Sequence, residues 1–600
     1  MTYLDSLRLH FAGRFQASVS TINNTPSNWD ISNRERFGSW NPEGDGDWRL
    51  IGCKVTSAWN ADGTPVADDP VLQCTVADAD ARPPAKLVDL DSEQQLVSTI
   101  FGLQVRIADA QGNSLVRGEF TPAPFSDLWS RATEAGNVGD MALGAQWQSI
   151  VTDLEWADPL PSGFLQALRT AAADGLLSIK FNVDGYEMDS NDPNFTRGRI
   201  VGTIGPQGAA EPAHLVAGRH FLLTAEQQQA SPTLNACVAV VDEQAGKVLL
   251  DVGNATLTTV PGGPPANVGD LRLTCGSVGL GTVQYDTPGW YESTAGVVAL
   301  PQDRALTADE LATVADTPLA LAAQAGGLAI AEPPGGLYCR ADGFVFRLDP
   351  GESAEVRVVA TKYGKPYANA EIVAALDPSQ LQQGPGAPPV AVPEAALTFA
   401  KTGVKTAGDG VATLTITASD PGNPRGYIDG QVYGVRPGLA ETADPKLAYP
   451  FNPWDFVSLL VYDAFDVANP TWVDDLQPIF QQYADLYPVM ARFLDLSSYE
   501  EVVAKRRILL YVFALPLGDP NSMPVTRDVS NAKRAAILRW LQQDPPPHGG
   551  DAPAPSGEMR VAAAPGASPV PRPQVERAPS PGGKTTAAAN KVGRSTTREA

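Results

Sequence analysis

Gly410-Val-Ala-Thr-Leu-Thr-Ile-Thr417 alternates apolar and hydroxyl side chains, the pattern of a strand with one face in a core and the other in water. Its neighbours repeat the pattern. Ala354-Glu-Val-Arg-Val-Val-Ala360 leads to a Tyr-Gly-Lys-Pro turn, then to Ala370-Glu-Ile-Val-Ala-Ala375 and, beyond Gly410, to the run from Tyr427 to Val435. Several short alternating strands divided by turn signals predict an immunoglobulin-type β-sandwich over residues 341–450.

Toward the N-terminus the same grammar continues. Leu7 to Ser20 alternates with Leu7, Leu9 and Phe11 on one face and breaks at Asn23-Asn-Thr-Pro26. Trp48 to Trp59, Val71 to Ala77, Lys86 to Ile107, Ser114 to Phe120, Leu176 to Val183 and Arg199 to Ile204 read as further strands between Asp-Gly and Asp-Pro turns. Leu160 to Ala173 is the one clear helix of this half. Strands recur at Ala236 to Asp242, Val248 to Asp251 and Leu271 to Cys275, and the Ala- and Leu-rich stretch Ala305 to Ala325, acidic near its start, suits a short helix crossing between sheets. Residues 1–340 are therefore expected to be a β-rich, sandwich-type region, divisible near 215–230.

Toward the C-terminus the period changes from 2 to 3.6. Leu476, Ile479, Phe480, Tyr483, Leu486 and Tyr487 recur at helical spacing within Thr471 to Tyr487. Ser498 followed by Glu501 predicts a capping box opening a second helix that runs to Phe513, and Ser530 predicts the cap of a third in which Ala536, Ile537, Trp540 and Leu541 share a face. Between them, Arg527 beside Asp528 offers a charged pair to fix the proline-containing loop. The expected architecture is mainly β: antiparallel sandwich domains including an Ig-like domain, then a small α-helical block over 451–543 and a disordered Pro/Ala/Gly-rich tail over 544–600.

Charge excludes two classes of partner. The chain carries 44 basic and 68 acidic residues, net −24, a surface that repels nucleic-acid phosphate and anionic membrane. From Asp551 onward the balance reverses, with 7 basic and 4 acidic residues. No run approaches the roughly 20 apolar residues of a membrane span, and the first residues lack the basic and apolar regions of a Sec signal. A cytoplasmic location is the expectation, with export by a non-Sec route as the alternative. Five widely spaced cysteines (Cys53, Cys74, Cys237, Cys275, Cys339) suit reduced, buried thiols.

Chemistry-bearing motifs are sparse. The four histidines, His10, His214, His220 and His548, lack metal-ligand spacing, so neither a ferritin-like site nor a helical zinc pair is expected. The acidic loop containing Asp184, Glu187, Asp189 and Asp192 offers oxygen ligands to calcium but lacks EF-hand spacing, and solvated acidic loops are the commoner outcome. Asp89 and Asp91 are a candidate acid/base pair, or a turn-capping pair. Gly279-Leu-Gly281 reads as a turn glycine pair, since the third glycine of a dinucleotide loop is missing. Trp454, Tyr462, Trp472, Tyr483 and Tyr487 could line a groove, though such residues are more often core. No cofactor is implied.

Six stretches, in order, carry a resemblance: Tyr3 to Phe15, Lys86 to Ile107, Asp174-Gly-Leu-Leu-Ser-Ile-Lys-Phe-Asn182, Arg199-Ile-Val-Gly-Thr-Ile-Gly205, Gly289 to Pro301 and Met523-Pro-Val-Thr-Arg-Asp-Val-Ser530. Together they resemble the N-terminal, non-ferritin part of the violacein and rebeccamycin pathway synthases, the VioB and RebD type of iminophenyl-pyruvate dimer synthase. In that family the chain continues into a ferritin-like domain associated with oxidative coupling of amino-acid-derived imines; here the sequence after Leu541 turns to Pro, Ala, Gly and Ser. The family's catalytic residues therefore have no positions here to occupy. The resemblance implies a non-catalytic binding or scaffold protein of bacterial secondary metabolism, whose helical block docks a ferritin-like or other pathway enzyme. The alternative is an enzyme acting on an aromatic amino-acid-derived imine at a pocket between the β-rich part and the helices.

Overall fold

The computed structural model describes residues 2–19, 41, 43–88, 97–132, 139–189, 191–229, 234–284, 287–323, 329–381, 389–425, 429–442 and 449–550. The Asn23–Pro26 break, the Asp89/Asp91 pair and the tail from 551 lie outside them. The chain is mainly β, as its alternation implies, with helices concentrated near the C-terminal end of the described residues.

The first unit holds strands β1 (Arg8–Ala17), β2 (Asp47–Trp59), β3 (Thr75–Ala77), β4 (Ala85–Val88), β5 (Thr99–Phe101), β6 (Gln104–Ala108), β7 (Ser114–Phe120), β8 (Ala123–Pro124), β9 (Ser126–Ser130), β10 (Leu143–Trp156), β11 (Leu177–Asp184) and β12 (Arg197–Pro206). Where the sequence suggests an open sandwich, the sheet closes on itself. The order β1-β12-β11-β10-β7-β6-β3-β2 returns to β1 through the β1–β2 pairing, which makes an antiparallel ring of eight strands. Closure leaves the ring without an exposed edge.

The barrel interior is packed with rings. Phe181 lies 5.5 Å from Trp48 and 5.7 Å from Trp147, and Phe15 stacks on Trp48 at 6.5 Å. Gly202 and Gly198 on β12 make room: a Cβ at either would run into the Phe11 or Phe15 ring of β1. On β11, Ile179, Phe181 and Val183 join this core, while the alternate residues Lys180, Asn182 and Asp184 point outward yet are also buried. They face the second unit. Its two four-stranded sheets, Arg219–Phe221 with Cys237–Asp242, Lys247–Asp251 and Val297–Leu300, and Val278–Val283 with Leu271–Cys275, Leu319–Ala323 and Ala329–Ala331, enclose a core of their own.

Several local expectations are corrected. Ala305 to Ala325 is helical only over Ala308–Val314, opened by a capping box between Thr307 and Glu310; its second half is the strand Leu319–Ala323. Gly279 and Gly281 sit within the strand Val278–Val283, not in a turn. The third unit is a two-sheet sandwich, with Val411–Ala418 paired to Ser353–Lys362. It does not end at 450. Val457–Val461 is an inner strand of its second sheet, antiparallel to Gln431–Leu439 and parallel to Val345–Leu348.

The helical block begins later, at Trp472. Its first helix, Gln477–Leu486, buries Phe480, Tyr483 and Leu486, and Leu476 and Tyr487 are buried at its two ends. The second is broken at Lys505 into Tyr499–Ala504 and Arg506–Ala514. The Ser498 hydroxyl accepts the Glu501 N–H as expected, but the Glu501 carboxylate caps Asp495 instead of completing the box. The last helix, Asn531–Leu541, is capped by Ser530 and buries Ala536, Ile537, Trp540 and Leu541. Arg527 and Asp528 do not pair: Arg527 is buried and donates to the carbonyls of Leu517, Val525 and Asp519, whereas Asp528 accepts from Tyr483. Composition places residues 544–550 in the tail, yet they pack back on this block, because the carbonyls of Pro546, Pro547 and His548 each take a hydrogen bond from it.

Candidate interaction surface

The proposed calcium loop does not converge. Asp184 is buried at the barrel's outer face, 2.9 Å from Arg131 and 2.6 Å from Arg199. Burial alone would raise its pKa; Arg199 and Arg131 more than offset this and hold the carboxyl below its ordinary value. Glu187 caps the Asp189 N–H, Asp189 caps Asn191, and Asp192 caps Asn194. The four carboxylates thus serve one ion-paired cluster and three local turns. Among the described residues no group of three or more His, Cys, Asp or Glu side chains is arranged to hold a metal.

The histidines are likewise placed by packing. His10 is fully buried; its Nε2 accepts from Arg8 Nε at 3.2 Å and its Nδ1 meets the Thr203 hydroxyl at 2.9 Å. Burial, then the Arg8 charge, holds it neutral, well below its ordinary pKa. His220 stacks on Tyr338 with centroids 3.6 Å apart, and burial lowers its pKa to about 4. His214 meets the Gln148 carbonyl, and His548 sits edge-on to Tyr499. All five cysteines are free thiols, and burial pushes Cys53 and Cys339 up to about 12. The five candidate groove aromatics separate: Trp454 packs against the barrel core, Tyr462 in a small sandwich cluster, and Trp472, Tyr483 and Tyr487 inside the helical block.

What sequence reasoning missed is where the units meet. Asp127, buried at φ 55°, takes hydrogen bonds from Gln146 of the barrel and Asn452 of the third unit, while its own carbonyl accepts from Asn254 of the second. Arg340 lies 3.5 Å from Asp127 and 3.0 Å from Asp455. Nearby, Lys180 on β11 pairs with Asp251 at 2.9 Å, and Asp251 also accepts from Tyr3. Buried charges persist only when paired and hydrogen-bonded, so these contacts fix the three β units relative to one another. No single motif announces them, because the partners lie up to 325 residues apart.

Exposed apolar surface is concentrated elsewhere. Among the described residues seven large hydrophobic side chains are exposed, and five of them, Val473, Phe493, Ile508, Tyr511 and Leu517, belong to the helical block. Arg506–Ala514 shows why. Leu509 and Phe513 turn into the block's core, which leaves Ile508 at 58% and Tyr511 at 61% exposure on the opposite face, one turn apart. Lys505 and Arg507 are exposed beside them, giving a basic, apolar stripe on a chain of net charge −24. Away from this surface, a cavity of about 80 Å³ lies between the second and third units, lined by Arg219, Glu243, Val314, Tyr363 and Lys365 among others. Arg219 is already committed to Glu332 and to the carbonyls of Val314 and Thr317.

No family model matches the chain, and no curated protein does. Among solved structures it is similar to domains 4 and 5 of the S-layer protein SbsC, at 11% identity over 24% of this chain and 66% of that one, just under two thirds of its length, with a TM-score of 0.14. The D00-D0 domain of intimin matches at 12% identity over 33% of this chain and 88% of that one, again with a TM-score of 0.14. Escherichia coli alpha-2-macroglobulin matches at 10% identity over 77% of this chain and 42% of that one, with a TM-score of 0.13. Likenesses at that level bear on neither fold nor function.

Proposed function

We propose that this chain is a non-catalytic binding or scaffold protein whose helical block docks a separate enzyme of bacterial secondary metabolism. The observation that carries the reading is the gathering of exposed apolar side chains on that block, above all Ile508 and Tyr511, which follow the exposed Lys505 and Arg507. Scattered exposed apolar residues are ordinary, whereas a contiguous stripe rimmed by charge suits a protein interface. Its basic rim favours an acidic partner surface. The resemblance to the non-ferritin part of the VioB and RebD type adds the identity of that partner: a ferritin-like enzyme supplying the oxidative coupling.

The test combines binding with turnover. The chain and a purified ferritin-like component of a dimer synthase are mixed, and complex formation is followed by light scattering during gel filtration, with the Ile508→Asp/Tyr511→Asp variant alongside. The reading expects a complex that the variant weakens at least tenfold, and dimer product from an oxidase-generated imine only in the mixture. Product formed by the isolated chain, with an equivalent of bound iron by elemental analysis, would establish the enzyme alternative instead.

A further inference from the structure

Residues 544–550 contact the helical block chiefly through their backbone carbonyls. The segment Asp544-Pro-Pro-Pro-His548 lies across Trp472, Tyr499 and Trp540, three rings whose centroids are 5.6 to 6.1 Å apart. Tyr499 donates its hydroxyl to the Pro546 carbonyl at 2.5 Å, and Trp540 donates its indole N–H to the Pro547 carbonyl at 2.8 Å. The backbone N–H groups of Trp472 and Val473 donate to the carbonyls of Pro547 and His548 at 3.1 and 2.9 Å. Those two amides are free because they open a helical segment, where the first turn has no intrahelical acceptor. Arg506 closes one end on Asp544 at 2.9 Å, and the His548 ring meets Tyr499 edge-on at 4.7 Å.

The match is one of donors to acceptors. Proline has no N–H and fixes φ near −65°, so a Pro-Pro-Pro run is pre-extended and presents only carbonyls. Toward the carbonyls of Pro546, Pro547 and His548 the block presents donors, set among aromatic rings; only past the prolines does the strap donate, from the Gly550 N–H to Asp474. That is the chemistry by which aromatic-lined grooves read proline-rich segments, with little ordering entropy lost by the ligand.

We propose that Trp472, Tyr499 and Trp540 form a recognition groove for proline-rich segments, occupied in cis by Asp544–Gly550 and open to a proline-rich segment of a partner protein when that strap is displaced. The contacts to the prolines are to backbone carbonyls, with Pro546 buried, so they do not demand the chain's own side chains. Tethering gives the strap an effective concentration in the millimolar range, so a free segment competes only once the strap is removed or outnumbered. This inference is separate from the Ile508/Tyr511 stripe, and each can fail without the other.

The test titrates a synthetic Asp-Pro-Pro-Pro-His-Gly-Gly peptide into the chain ended at Gln543, following intrinsic tryptophan fluorescence. The expected result is saturable binding, at least tenfold weaker for the peptide with its three prolines changed to alanine and for the Trp540→Phe variant, and undetectable in the unshortened chain over the same range. Ile508→Asp leaves it unchanged. Absence of binding in a shortened chain that keeps its helical circular dichroism, or equal binding of the alanine peptide, overturns the proposal. Hydrogen exchange on the unshortened chain decides the matter even if shortening unfolds the block. The Trp472 and Val473 amides and the Trp540 indole should exchange at least tenfold faster than the amides of Ile537 and Leu541, because the strap lifts off an intact block; equal protection would make the strap part of the core and overturn the proposal.

Discussion

Asp127 accepts a hydrogen bond at 2.6 Å from the side-chain amide of Asn452, 325 residues further along the chain. With Arg340 between Asp127 and Asp455, this contact joins the barrel to the third unit through charges largely withdrawn from solvent. Removing the shared cation strands two buried carboxylates. Arg340→Ala should cost about 3–5 kcal/mol in chemical denaturation. Arg357→Ala, which breaks an ion pair whose arginine is 46% exposed, should stay within about 1 kcal/mol. Similar small losses at both positions would remove the joint from the account.

The same joint carries a pH dependence. Burial, only partly offset by Arg340, raises Asp455 from its ordinary 3.8 to about 6. A carboxyl whose folded pKa is raised contributes stability that is fully present below about 3.8 and is lost as pH rises through about 6. Asp455→Asn has no such titration and keeps its one carbonyl oxygen as an acceptor for Arg340, while its amide N–H donates to the Tyr338 hydroxyl oxygen. The variant should therefore gain stability relative to the unaltered chain between pH 4 and 7, levelling above 7. A difference that is flat over that range, in urea midpoints taken at each pH, would contradict the assignment.

The helical face was legible, and its prediction is direct. Phe480, 2% exposed against Trp472 and Phe513, should cost about 3–5 kcal/mol when changed to Ala. Gln481→Ala loses only a side-chain bond to Asp485 and should change stability by about 0.5 kcal/mol or less. Thermal melts of the two variants check this.

How far the sequence carried the reading depended on whether a residue's surroundings are local. Val411–Ala418 was legible because one face meets solvent, so its alternation survives. Val457–Val461 was not, since all five residues, Ser458 included, are buried and a strand covered on both faces has no alternation to read. Barrel closure rests on the β1–β2 and β1–β12 pairings, which strand patterns do not specify. On β11, Lys180, Asn182 and Asp184 look like a solvent face and are covered by the second unit. The strap was hidden by its own composition, because prolines that rule out helix and sheet also suit an extended ligand. Of the candidate site, the sequence offered the block as the expected docking element; the exposure of Ile508 and Tyr511, on which the proposal rests, is visible only once Leu509 and Phe513 are known to face inward.

The central claim is that the outward face of Arg506–Ala514 is where a partner enzyme binds, and site-specific photo-crosslinking in the native host tests it most directly. A photoreactive residue placed at Tyr511 is compared with one at Thr413, also exposed, on the sandwich. The account predicts that Tyr511 yields one dominant adduct with a single ferritin-like or other pathway enzyme, lost when Ile508 is changed to Asp, while Thr413 yields none. The same diffuse background from both positions, or an adduct at Tyr511 only to a second copy of this chain, would contradict it.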